Sequence, residues 1–156
     1  MRHRLIEIMG NQSREEMKVE LFTSVIGDTV PLPLISEGIS AGFPSPALDF
    51  IDVAIDLNKY VIKRPSSTFY GRAKGQSMKD RGIDDGDLMV IDKSIQPKNG
   101  HIAICYIEGS YTVKTIEIKE NCCWLIPANK AYQPIKVEDD NQFLIWGIVT
   151  YVIKKI

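Results

Sequence analysis

From Thr68 to the C-terminus, short apolar runs alternate with turn residues. "TFYGRAKG" precedes the loop "QSMKDRGIDDGD", and then come "LMVID", the turn "KSIQPKNG", "HIAICYI", the tight "EGS" and "YTVKTIEI". "CWLIPA", the loop "NKAYQPI" and a closing "FLIWGIVTYVI" complete the chain. Strand-length runs bounded by Asp-Gly, Asn-Gly and Glu-Gly-Ser predict a mainly β, mostly antiparallel fold. Upstream, "ALDFIDVAIDLNKYVI" places Leu48, Ile51, Ala54, Ile55 and Leu57 so as to predict a short helix followed by an extended piece. Before it the pattern thins. Ser13-Arg14-Glu15-Glu16 has the form of a capping box and predicts a short helix, while "KVELF" reads equally as a strand. "GDTVPLPLISEG" reads as an extended linker in which Pro31 and Pro33 block regular structure. The expected organisation is an N-terminal arm, residues 1–41, on a compact β domain, residues 42–156. Met9 and Met17 are possible internal starts of the arm.

The stretch "ISAGFPSPALDF", Ile39 to Phe50, is unlike the rest. Ser40-Ala41-Gly42 is small and flexible, and the prolines at 44 and 46 keep Phe43-Pro44-Ser45-Pro46 out of a helix or an inner strand. It reads as an extended, accessible segment.

Composition narrows the function classes. At 156 residues, 44% apolar and 25% charged, the chain suits one ordinary globular domain with a modest core. No apolar run approaches the roughly 18 residues that span a bilayer, and "MRHRLIEIMGNQSREEMKVE" is too charged for a secretory signal. A cytoplasmic protein without a membrane partner is expected. The net charge of −1 is spread evenly, with four basic and six acidic groups in residues 1–41 and fifteen and fourteen in the remainder. That leaves no basic stripe for direct nucleic-acid binding, and Lys154-Lys155 reads as a solvated tail.

Candidate chemistry is sparse. Cys105, Cys122 and Cys123 lack metal-ligand spacing and read as reduced thiols, Cys105 in the core. Two histidines, His3 and His101, are too few for a metal site, and a Ser-His-Asp triad would have to use His101, which begins a strand. "GRAKGQS" lacks the Gly-Lys-Ser/Thr ending of a phosphate loop. The aspartates of "DRGIDDGDLMVID" are explained by Asp-Gly turns and break the ligand alternation of a calcium loop. Neither a metal nor a cofactor is expected.

Serine with lysine remains. A lysine acts as a general base only when neutral, and its ordinary pKa of about 10.4 leaves roughly one molecule in a few thousand neutral at pH 7, so desolvation has to assist. By two-residue alternation Lys114 shares its face with Thr112, Ile116 and Ile118, against Tyr111, Val113, Thr115 and Glu117 on the other. It is either a buried base or an edge-strand lysine snorkelling to water. Ser77 in "GQSM" is either a nucleophile on a sharp turn, its own N–H and that of Met78 facing an oxyanion, or a serine satisfying a loop. Ten serines and thirteen lysines produce a given separation by chance, so the spacing alone does not decide.

Taken in order, "SAGFPSPA", "GQSMKDRGIDDGDLMVID", "NGHIAICYIEGSYTVKTI" and "LIPANKAYQPI" resemble the LexA/UmuD-like family of self-cleaving Ser-Lys peptidases, over about three quarters of the chain. The resemblance implies a nucleophile at Ser77, a general base at Lys114, an oxyanion hole from the backbone N–H groups of Ser77 and Met78, and a scissile bond at Ala41-Gly42. Alanine before that glycine is the LexA-like choice, where UmuD-like relatives can have cysteine. The arm is somewhat longer than usual, yet too short and too weakly basic for a winged helix-turn-helix, which points to the UmuD-like branch and away from a repressor. The family further implies a homodimer, stimulation by a RecA filament on single-stranded DNA, and a trimmed product that serves a Y-family DNA polymerase as accessory subunit in error-prone synthesis past damage. An interaction module with a vestigial catalytic pair and a truncated repressor are the alternatives.

Overall fold

The computed structural model describes residues 18–23, 27–28, 31–35, 51–137 and 142–156. Its elements are β1 (Lys18–Thr23), β2 (Pro31–Ile35), β3 (Ile51–Asp56), α1 (Leu57–Val61), β4 (Thr68–Lys74) and β5 (Leu88–Asp92). They continue with β6 (Ile102–Ile107), β7 (Ser110–Lys119), β8 (Cys122–Ile126), β9 (Ile135–Val137) and β10 (Phe143–Ile153). Eight strands form one antiparallel sheet in the order β1-β4-β5-β10-β6-β7-β8-β9, and β2 pairs with β3 in a separate ribbon. Among the described residues no helix is long and apolar enough to cross a membrane.

The mainly β, antiparallel architecture expected from the turn spacing is what forms. Glu108 and Gly109 close the β6–β7 hairpin with φ of 47° and 83°, the left-handed pair that a two-residue turn between twisted strands requires. β10 joins the two halves, pairing with β6 through Phe143–Ile148 and with β5 through Ile148–Ile153. Its register shifts between Ile145 and Gly147 and again between Val149 and Tyr151. Such bulges bend a strand and increase its twist, and the sheet curls until β1 approaches β7.

The inner strands are covered on both faces. Ile104 and Val113 belong to one buried cluster with Ala73, Met78, Met89 and Ile91. Ala103, Cys105 and Ile116 belong to another with Leu125, Val137 and Ile148. β6 and β7 therefore present adjacent residues to two separate apolar environments, and neither is a sheet edge.

Several expectations change. Residues 51–61 form a strand followed by a helix, the reverse of the predicted order. Ile51, Val53 and Ile55 alternate with Asp52, Ala54 and Asp56, which suits a strand, and Asp56 then starts the helix, its Oδ1 accepting from Asn58 N at 2.9 Å. Leu48 lies outside the described residues. The proline segment is no mere linker: Pro31↔Asp56 through Leu34↔Val53 run in register. Two prolines at alternate positions put their missing N–H groups on one side of the strand, and in a two-stranded ribbon that side can face away from the partner. "KVELF" is a strand, β1, laid on β4 as an edge of the main sheet, so part of the segment expected as an arm completes the fold. β9 lies at the end of a stretch read as loop. Ser13–Glu16 and the Ala41-Gly42 bond lie outside the described residues.

Ile91 sits between two glycines. A Cβ at Gly147 would lie 2.7 Å from Ile91 Cγ2, and one at Gly71 would lie 2.7 Å from Ile91 Cδ1 and 2.9 Å from Val19 Cγ1. Gly71→Ala and Gly147→Ala should each cost about 1–3 kcal/mol through overpacking. Ile91→Val deletes Cδ1 and keeps Cγ2, so in double-mutant cycles by urea unfolding it should relieve part of the first cost and none of the second. Equal relief of both would contradict this packing.

Candidate active site

Lys114 lies in the middle of β7, opposite Ala103 of β6 and on the same face as Thr112 and Ile116. It is 2% exposed. The snorkelling alternative therefore fails, because an inner strand covered on both sides offers the ammonium no route to water. Burial at this depth strips hydration from a charged amine and leaves a neutral one little affected. Its Nζ donates to Thr112 Oγ1 at 2.7 Å and to Ser77 Oγ at 3.1 Å. The face shared by Thr112 and Lys114 was legible as alternation; the bond between their side chains follows from it, since residues two apart on a strand point the same way.

Ser77 reaches Lys114 from the loop between β4 and β5, and it too is buried. The loop turns at Gly75, whose φ of 93° suits glycine and whose N–H donates to Asp85 Oδ1 at 2.7 Å. Beyond the serine, Met78 inserts into the core cluster, and a single 3-10 turn, Lys79–Arg81, ends on Gly82 at φ 75°. A second segment, between β8 and β9, clamps this loop. Ala128 N donates to Ser77 O at 2.8 Å, Asp80 N donates to Ala128 O at 2.8 Å, and Asn129 Nδ2 donates to Gln76 O at 2.8 Å. Ala128 thus spans the two residues that follow the serine, Met78 and Lys79, while Asn129 holds the residue before it. Local pattern in the sequence carried no sign of this role, because the partners lie about fifty residues apart.

The other candidates lie elsewhere. His101 precedes β6, accepts from Lys98 N at 3.3 Å through Nδ1, and lines a separate open groove of about 540 Å3 with Arg64, Asp92 and Tyr151. Asp87 Oδ2 accepts from Asp84 N at 2.8 Å, and Lys154 pairs with both carboxylates, so these aspartates fasten the turn before β5 to the end of β10. Among the described residues no group of three His, Cys, Asp or Glu is arranged to hold a metal ion. The three cysteines are free thiols. Burial, with Cys123 adding to it and Lys114 opposing, pushes the Cys105 thiol up to about 12, which removes it as a nucleophile at ordinary pH.

A buried serine hydroxyl bonded to a buried lysine amine, on a β scaffold, is what the comparisons with known proteins bear on. Residues 33–150 match the family described as Peptidase S24-like. The chain belongs to that family. Among its relatives, Protein SamA of Salmonella typhimurium is 45% identical over 123 residues, 79% of this chain and 85% of the relative. Protein MucA of Escherichia coli is 37% identical over 137 residues, 86% and 93% of the two chains. The LexA repressor of Alcanivorax borkumensis is 36% identical over 124 residues, 79% of this chain but 59% of the repressor. Membership of the S24-like peptidases supports a serine-peptidase kind of activity, and the LexA/UmuD-like resemblance drawn from the motifs agrees with it.

The thiol chemistry yields a test. Cys105 should resist alkylation by iodoacetamide at pH 8 in the native chain and react once the chain is denatured; native labelling of Cys105 at the rate of a free thiol would contradict its burial.

Proposed function

We propose that the chain is a self-cleaving serine peptidase of the SOS response, in which Ser77 and Lys114 cut the Ala41-Gly42 bond once. The observation that carries this reading is the 3.1 Å contact between Lys114 Nζ and Ser77 Oγ, with both residues buried. Structural lysines are seldom found in such a position, and a general base needs to be there.

A neutral Lys114 keeps two N–H bonds and one lone pair. With one N–H donated to Thr112 Oγ1, the lone pair is left to accept the Ser77 proton. Ser77 Oγ attacks the Ala41 carbonyl as that proton passes to Nζ, and the negative charge on the carbonyl oxygen is received by the N–H groups of Ser77 and Met78. Neither amide donates to a carbonyl among the described residues. Collapse of the intermediate expels the Gly42 amine, which takes the proton back from Lys114, and leaves Ala41 esterified to Ser77. Water then gives a proton to Lys114 and attacks the ester, Ser77 Oγ recovers that proton, and residues 1–41 end in a carboxylate. Attachment of the substrate to the enzyme supplies the effective concentration that makes one turnover feasible. The small residues Ser40, Ala41 and Gly42 suit close approach of a backbone to Ser77.

The wider role rests on the family likeness. The trimmed product, residues 42–156, would act as a homodimer and as accessory subunit of a Y-family DNA polymerase, and a RecA filament on single-stranded DNA would stimulate the cut. The mild, evenly spread charge fits a protein that works through protein partners and binds no nucleic acid itself.

Intact-mass measurement tests the chemistry. A fragment beginning at Gly42 should form on incubation at alkaline pH. Ser77→Ala should abolish it, and Lys114→Met should slow it by about 10²–10⁴-fold, the range of a general base. Thr112→Val should slow it by about 3–10-fold, the worth of one hydrogen bond. Gly42→Trp should block cutting by preventing that close approach to Ser77. Residual cleavage at the same bond in Ser77→Ala would remove that serine from the mechanism.

A further inference from the structure

The proposed cut falls between paired strands. β1 and β2 precede Ala41, whereas their partners β4 and β3 follow Gly42. The pieces on either side of the bond are therefore joined by two antiparallel ladders as well as by the chain. β1 runs against β4 in unbroken register from Lys18↔Lys74 to Thr23↔Phe69. Val19 and Leu21 pack against the cluster that holds Ala73 and Met78, while Glu20 forms an ion pair with Lys74. Gly71 admits this close approach, since a Cβ there would lie 2.9 Å from Val19 Cγ1 and 3.6 Å from the Glu20 carbonyl oxygen. Without β1, the N–H and C=O groups along one edge of β4 would lose their partners and fully buried Ala73 would lose cover.

We propose that the β1-facing edge of β4 is a strand-binding site, and that self-cleavage turns β1 from a tethered segment into a non-covalently bound ligand of that site without releasing it. The inference rests on the reading that the bond between residues 41 and 42 is cut. The ligand class is an extended peptide with apolar side chains at alternate positions and a carboxylate between them that reaches Lys74. β-strand addition of this kind takes affinity from the backbone and selectivity from the alternate side chains. Before the cut, the connecting chain keeps β1 at high effective concentration and excludes competitors; after it, that advantage is gone and another strand of the same pattern, such as β1 of a second copy, can exchange in. The cut thus licenses an exchange at β4.

The test begins from folded, full-length Ser77→Ala chain carrying an exogenous protease site in place of residues 38–43 and nicked to completion. Its outcome does not depend on whether the natural chain cuts itself. Native mass spectrometry and gel filtration at micromolar concentration should show the two pieces as one species, which separates on denaturation, and an excess of labelled peptide 14–27 should replace the bound piece. Val19→Asp with Leu21→Asp should release the piece and speed amide hydrogen exchange at residues 69–74 by about tenfold or more. Glu20→Lys, on the outer face, should weaken retention with the core untouched. Immediate separation of the unsubstituted pieces would overturn the proposal, and so would full retention in the double variant, because β2 on β3 would then be the sole tie.

Discussion

A lysine in the middle of an inner strand has to be reconciled with two apolar layers. In this fold the reconciliation includes two hydroxyls, Thr112 and Ser77, within hydrogen-bond distance of the Lys114 amine. The same two contacts that make burial tolerable direct the amine toward a potential nucleophile. Moving the serine loop by an ångström or two would break that bond and leave a desolvated polar group, which costs far more than an exposed one. Position of the loop and burial of the lysine are thus a single constraint.

The rest of the sheet serves that constraint. Bulges in β10 curl the sheet so that β6 and β7 are covered on both faces. Ala128 and Asn129, contributed by a distant segment, hold the backbone of Gln76 and Ser77 from the other side. Met78 anchors the loop in the core immediately after the nucleophile candidate. Fixing the Ser77 hydroxyl through its neighbours would leave little reorganisation to occur in the proposed reaction, which is how preorganised sites lower barriers.

Much of this was legible in the residues. Alternation placed Lys114 with Thr112 and Ile116, turn residues marked the β6–β7 hairpin, and the closing apolar run marked β10. What could not be read locally was decided by partners far along the chain. "KVELF" becomes a strand because β4 offers an edge, and "PLPLI" because β3 does, despite its prolines. The predicted helix at 48–57 fails since apolar residues at 51, 53 and 55 fit a period of two as well as helical spacing, and only the Asp56 cap shows where the helix begins. Ser77 is the clearest case: nothing in "GQSM" by itself separates a nucleophile from a turn serine, and the lysine that distinguishes it lies 37 residues away.

The proposed chemistry requires an amine that sheds its proton before the serine can react. The most direct measurement is the initial rate at which the fragment beginning at Gly42 appears, followed by intact mass from pH 7 to about pH 10 with no stimulating partner present. While the ammonium form predominates, the fraction of free amine rises about tenfold per pH unit, so the rate should climb with that slope and level off only when the amine is fully deprotonated. A rate that falls as pH rises across the range would contradict Lys114 as the base.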